Sequence, residues 1–174
     1  MGKNHAGMTG RLCEGLALSY GYSPDVARNI RIAAGTHDIG KSLIPDNIIK
    51  KPGRLSPHEF DIIRLHTVFG FNLLRSAEGD CGEMQRQIAM YHHERYDGNG
   101  YWGLTREMQP VYIRIVAICD VYCALRAERC YKEAWSCDEA LGYIEDNAGS
   151  HFDPALVGLF VPLARSSHTI LFRH

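Results

Sequence analysis

The chain has 174 residues, 45% of them hydrophobic, which is enough for one globular domain burying roughly 70% of the surface its unfolded chain would expose. A formal net charge of -1 supplies no long-range field for a polyanionic nucleic acid or an anionic membrane, so a phosphate-bearing ligand has to be held by local groups. The six cysteines at 13, 81, 119, 123, 130 and 137 lack Cys-x-x-Cys spacing, and the first 30 residues hold neither a signal-peptide apolar run nor a spanning segment, so the expected compartment is a reducing cytoplasm.

No repeat, low-complexity tract or linker divides the chain. Ser23-Pro24-Asp25 offers an N-cap followed by proline at the first helical position, and Val26, Ile30 and Ala33 then follow at helical spacing. Ser56-Pro57-His58-Glu59 is a capping box with the same proline device, leading into Phe60, Ile63 and the segment that carries His66. Pro110 opens a further helix on which Val111, Ile115, Ile118, Tyr122 and Leu125 form one apolar stripe, with Asp120 off that line. Ser136-Cys137-Asp138-Glu139 repeats the capping box, Gly149 is its expected stop, and Asp153-Pro154 starts a last helix. No run alternates with period two for long enough to make a strand. The expected fold class is all-α, a single-domain bundle of six to eight helices whose facing members aim ligands inward.

The chemistry-bearing residues are unevenly distributed. His37-Asp38 lies inside His-Asp-Ile-Gly-Lys (37 to 41), followed by His66, His92-His93 and Asp120 and preceded by an isolated His5. So many imidazole and carboxylate groups in one short chain point to ligands gathered round more than one metal ion. A carboxylate such as Asp38 has two oxygens and can bridge two cations about 3.5 to 4 Å apart, which an imidazole cannot. Mixed nitrogen and oxygen donors without thiolates suit iron, manganese, nickel or zinc and disfavour a cysteine-built structural zinc. Two such cations lower the pKa of a shared water and spread the charge of a phosphoryl transition state, so metal-assisted hydrolysis of a phosphate ester is the natural reaction. Lys41, one turn beyond His37 if that turn is helical, can offer a point charge to a phosphoryl oxygen. His58, His151, His168 and His174 are read as ordinary solvated or packed side chains. Cys119 and Cys123 flank Asp120, but Cys119 and Asp120 point about 100° apart on a helix, and buried thiols are commonly small hydrophobes.

His37-Asp38-Ile39-Gly40-Lys41, Ile44-Pro45-Asp46, Lys51-Pro52-Gly53, His66 with Gly70, and the run His92 to Tyr101 together resemble the HD-GYP subgroup of the HD phosphohydrolases. The likeness continues through Arg114 to Tyr122, Arg129-Cys130-Tyr131-Lys132 and His151-Phe152-Asp153-Pro154. It implies an all-helical HD-GYP-like phosphohydrolase domain over 1–165 with a C-terminal tail at 166–174. The implied activity is hydrolysis of cyclic di-GMP to the linear dinucleotide or GMP through a metal-bridging hydroxide. The metal-ligand positions of the family fall on His5, His37, Asp38, His66, His92, His93 and Asp120. Asp38 and Lys41 take the catalytic positions, Lys41 facing the scissile phosphate. Arg129 and Lys132 match phosphate-contacting positions, and Tyr101 and Trp102 lie on the loop beside the ligand pocket. The implied cofactors are two divalent transition-metal ions, with iron, manganese or nickel as candidates.

The chain also departs from the family pattern. Trp102 stands for the proline of Gly-Tyr-Pro, which removes a fixed φ and adds an aromatic surface on which a base can stack. Cys123 replaces a second aspartate, and Cys130 a proline. Cysteine cannot replace a carboxylate as a hydrogen-bond acceptor, which points to reduced turnover. The extra glutamate of three-metal members falls on Met1, implying either a two-metal centre or a longer parent chain. Three alternatives follow: a phosphodiesterase for 3′,3′-cGAMP, a weakened cyclic-dinucleotide receptor reporting to a partner, and an HD nucleotidase acting on mononucleotides. Expected partners are a small-molecule cyclic dinucleotide, a signalling protein such as a diguanylate cyclase domain, and a second copy in a homodimer. Neither polymeric nucleic acid nor a membrane is expected.

Overall fold

In the computed structural model the described backbone covers residues 3–127 and 134–171, and side chains are described over 6–127 and 134–166. The helices are α1 (Lys3–Tyr20), α2 (Pro24–Ala34), a 3-10 turn (Ile39–Leu43), the single turn α3 (Asp46–Ile49), α4 (Pro57–Arg64), α5 (His66–Leu73), α6 (Gly79–Tyr91), α7 (Val111–Arg126), α8 (Cys137–Asp146) and α9 (Pro154–Leu171). Among the described residues there is no strand beyond an isolated bridge between Ala148 and Phe152, so the chain is all-helical with eight helices longer than one turn.

Serine hydroxyls start three of these helices as the sequence predicts. Ser23 accepts the Val26 amide at 3.4 Å with Pro24 in the first turn of α2. Ser56 and Glu59 form a reciprocal capping box at α4, and Ser136 with Glu139 forms the same box at α8. Two details differ from expectation. The helix begun at Ser56 breaks at Leu65, so His66 opens a separate helix, α5. At the other box, α8 ends at Asp146 rather than running to Gly149; Asn147 caps it, and Gly149 instead takes φ +84° in the next turn.

The core lies where α1, α7, α8 and α9 meet. Leu12 and Leu16 of α1, Ile118 and Tyr122 of α7, Leu141 and Ile144 of α8, and Leu156 and Phe160 of α9 are all buried. Burying each such side chain contributes about 1.5–3 kcal/mol. The Tyr122 and Phe160 rings meet edge to face at 5.2 Å, a favoured aromatic geometry. The predicted stripe on α7 proves too narrow. Ile113, Val116, Ala117, Cys119 and Cys123 are buried as well, because α7 runs through the middle of the molecule and is covered on several sides. That central course also carries Asp120 into the interior.

Candidate metal centre

After α2 the chain enters the 3-10 turn, whose Gly40 lies directly against the backbone of α5. A β-carbon at Gly40 would stand 2.0 Å from the His66 carbonyl oxygen and 2.4 Å from the Gly70 nitrogen, so no larger residue allows this approach. The approach brings Asp38 to His66. The C-terminal end of α6 supplies His92 and His93, and α7 supplies Asp120.

Asp38, His66, His92 and His93 each present one donor atom, and these four atoms lie within 4.8 Å of one another. Asp38 uses its two oxygens differently. Oδ1 faces His66 Nε2 at 3.5 Å and His92 Nε2 at 3.6 Å, while Oδ2 faces His37 Nε2 at 3.3 Å and the Lys41 ammonium at 2.6 Å. His37 Nε2 is also 3.2 Å from Asp120 Oδ1. The carboxylate of Asp38 therefore stands between two groups of donors.

The imidazoles are aimed by their own helices. His37 Nδ1 lies 2.6 Å from the Ala34 carbonyl, His66 Nδ1 2.6 Å from that of Ile63, and His92 Nδ1 2.9 Å from that of Ile88. A carbonyl can only accept, so in each ring Nδ1 carries the proton, and in the neutral ring Nε2 presents its lone pair. His66 Nε2 and His92 Nε2 then point lone pairs at each other across 3.4 Å, with the buried Asp38 Oδ1 beside them accepting no hydrogen bond. Three electron-rich atoms facing one another repel unless a cation joins them. Two atoms bound to one cation at about 2.1 Å stand roughly 3.0–3.4 Å apart at angles of 90–109°, close to the separations seen here. The residues fit a metal ion.

The electrostatics agree. Burial and the neighbouring His92 push His66 down to about 4, and burial with the same neighbour pushes His93 down to about 2, so both rings are neutral donors at pH 7. For His37 burial favours the neutral ring, but the carboxylates of Asp120 and Asp38 overcome it and hold its pKa well above the ordinary value. Burial also opposes ionisation of Asp38, yet His37 and Lys41 keep its carboxyl below the usual carboxylate range. For the thiols beside Asp120, burial pushes Cys123 up to about 12 and Cys119 well above its ordinary value, so both remain protonated packing groups.

The remaining site residues of the sequence reading are placed as follows. Lys41 sits on the 3-10 turn and donates to Asp38 Oδ2. Tyr101 lies with its ring 4.5 Å from that of His93 and tilted by 32°, and Trp102, about two-fifths exposed, follows it on the loop after α6. His5 lies on α1, but its side chain is outside the described residues, as are Arg129, Cys130 and Lys132.

Sequence reasoning assigned no role to two residues beside this cluster. Arg64, at the end of α4, donates to the Tyr101 carbonyl and lays its guanidinium 5.0 Å from the Tyr101 ring and 5.8 Å from the Trp102 ring. Glu94 is buried, with both carboxylate oxygens accepting backbone N–H groups of the loop. Arg64 carries no local sequence signal. Glu94 carried one, an acidic residue directly after two histidines, but the pattern does not say which way it points.

Comparison with known proteins accords with this geometry. The model of the HD domain family matches residues 2–156. A cyclic di-GMP phosphodiesterase response regulator, RpfG, from Xanthomonas campestris pv. campestris is 43% identical over 143 residues, which cover 82% of this chain and 38% of that protein. A 3′3′-cGAMP-specific phosphodiesterase from Vibrio cholerae is 38% identical over 86% of this chain and 29% of its own length. The chain thus spans about a third of the length of these relatives. A solved HDG"Y"P protein from Bdellovibrio bacteriovorus superposes with a TM-score of 0.73 at 17% identity, covering 92% of this chain and 51% of that one. With the family match extending over most of its length, and with Asp38, His66, His92 and His93 from the 3-10 turn region, α5 and the end of α6 converging on one cluster, this chain belongs to the HD domain family and carries its His/Asp metal-binding cluster.

Proposed function

We propose that this domain is a metal-dependent cyclic-dinucleotide phosphodiesterase of the HD-GYP subgroup, with cyclic di-GMP as its substrate. The observation that carries the reading is Asp38, whose two oxygens face different histidines, Oδ1 those at 66 and 92 and Oδ2 that at 37. Relatives described as phosphodiesterases for cyclic dinucleotides, alike over more than four-fifths of the chain, supply the substrate class.

In this reading His37, Asp38, His66, His92, His93 and Asp120 would together hold two divalent cations, with Asp38 as the residue able to serve both. The family resemblance adds His5, on α1, as a further ligand position. Iron, manganese and nickel all accept such donors. Cations held there activate water at neutral pH and neutralise charge on a phosphoryl group. Lys41, which donates to Asp38 Oδ2, would supply a positive charge to a non-bridging phosphate oxygen of a bound substrate. Tyr101 and Trp102 offer aromatic faces at the edge of the pocket for a base, and Arg129 and Lys132 are assigned to outer phosphate contacts.

A second substrate reading rests on the Vibrio cholerae relative described as specific for 3′3′-cGAMP. The two dinucleotides share the phosphodiester ring and differ in one base, so the same centre serves either. Anaerobic purification with metal analysis, followed by turnover of both dinucleotides in parallel, tests the proposal. Expected are two metal equivalents per chain and faster loss of cyclic di-GMP. Faster cGAMP loss selects the second reading, and tight binding without product would sink the enzymatic one.

A further inference from the structure

Glu94 follows the histidine pair directly, yet it is not among the donors that converge at the cluster. It is only 1% exposed. Its Oε1 accepts the Trp102 amide at 2.6 Å and its Oε2 the Leu104 amide at 2.8 Å, so one carboxylate grips both sides of the turn at Gly103, which takes φ +74°. A buried carboxylate persists only where its oxygens are hydrogen-bonded, and here the loop backbone does that. The other side of the loop is pressed onto the same residue, since a β-carbon at Gly100 would meet the Glu94 α-carbon at 2.5 Å and the Arg95 nitrogen at 2.8 Å.

Further contacts fix the same loop. Gln109 Nε2 donates to the carbonyls of Arg95 at 2.8 Å and Leu104 at 2.7 Å, and Trp102 Nε1 donates to the Met90 carbonyl at 3.1 Å. Arg64 holds the Tyr101 carbonyl from α4. Among these groups, Glu94 alone is both adjacent in sequence to His93 and bonded to the backbone on either side of the turn. The result is a Tyr101 ring held over the ring of His93.

We propose that Glu94 is a positioning residue, fixing the 99–104 loop so that Tyr101 and Trp102 form the wall of the dinucleotide pocket beside His93. The inference rests on the phosphodiesterase reading for its consequence in turnover, but not for the loop geometry. Glu94→Gln keeps the shape and leaves only one acceptor oxygen, so one loop amide faces an NH2 group instead.

The test uses the full chain in a Trp135→Phe background, which leaves Trp102 as the sole tryptophan. Glu94→Gln should red-shift Trp102 emission and increase its quenching by acrylamide, with helix content and metal per chain unchanged. In turnover it should raise KM for the dinucleotide about tenfold while kcat stays within about threefold, because lost positioning of bound substrate weakens binding more than chemistry. A folded Glu94→Gln protein with parental Trp102 emission overturns the proposal. So does loss of metal with the substitution, or a shifted emission with unchanged KM. If the parent turns over neither dinucleotide, the phosphodiesterase reading falls and the pocket role with it, while the emission still reports whether Glu94 holds the loop. Gly100→Ala keeps the Glu94 carboxylate but pushes the loop off it, since the added methyl would meet the Glu94 α-carbon at 2.5 Å and its carboxyl carbon at 2.9 Å, and it should give the same emission change if Glu94→Gln does not fold. Failure of both variants to fold would make Glu94 a fold determinant and overturn the positioning role.

Discussion

The two surroundings of α7 show opposite ways of filling an interior. Ile118 and Tyr122 meet apolar partners from α1, α8 and α9, where shape and volume decide the packing. Asp120, on the same helix, meets His37 and the polar cluster around Asp38. On the apolar side a side chain of similar size and character can substitute for another, because dispersion and burial have no direction. On the polar side each nitrogen and oxygen must point within a narrow cone, and the chain meets that demand with hydrogen bonds from ring to backbone and with one glycine contact. One helix serves both interiors, so the apolar packing fixes where Asp120 stands.

Four experiments probe that contrast. The largest effect is expected for Asp38→Ala, which should strip metal from the chain and lower cyclic-dinucleotide hydrolysis by about 1000-fold or more, with circular dichroism unchanged. Retained metal and turnover would remove Asp38 from its bridging place. Phe160→Ala, on the apolar side, should cost about 3–5 kcal/mol in urea unfolding, while the folded fraction still takes up its full metal. If that variant stays folded but loses metal, the two interiors are coupled. Gly40→Ala tests the junction between the 3-10 turn and α5. Its added methyl should cost about 1–3 kcal/mol and weaken metal binding by pushing Asp38 from His66, leaving the apolar packing intact by near-ultraviolet dichroism.

The smallest effect concerns pH. Burial, helped by the charge of Arg95, pushes His151 down to about 4, against an opposing pull from Asp97. The unfolded chain binds a proton near the ordinary 6.5, so the neutral ring stabilises the fold above that pH. This contribution is lost as pH falls from 6.5 towards 4 and is absent below. His151→Phe should therefore show a shallower fall in melting temperature between about pH 7 and pH 5 than the parent. Equal slopes would show that His151 titrates alike in the folded and unfolded chain.

The sequence made the helix starts legible where a side chain does the capping. Ser23, Ser56 and Ser136 could be read because the cap and its partner lie three residues apart. Helix α6 is not legible for the converse reason, since its N-cap Glu78 makes no side-chain cap and its glycines at 79 and 82 look like loop. The donors of the site were legible by residue type and by family likeness. Their arrangement was not, because it depends on contacts between distant segments such as Gly40 against His66. The division of Asp38 between two donor sets, and the use of Glu94 and Arg64 on the loop rather than on the cluster, are facts of three-dimensional placement that no spacing rule contains.

The Nδ1 contacts of His37, His66 and His92 have one more consequence. Each anchoring carbonyl lies only three or four residues earlier in the chain, so the orientation of each ring is written into a single short stretch of backbone. Such a stretch is portable: lifted whole into another helical scaffold, it would bring its bearing with it. Lengthening a connection elsewhere leaves that bearing alone, whereas deleting one residue inside the stretch swings the ring by about 100° and turns it away from its companions.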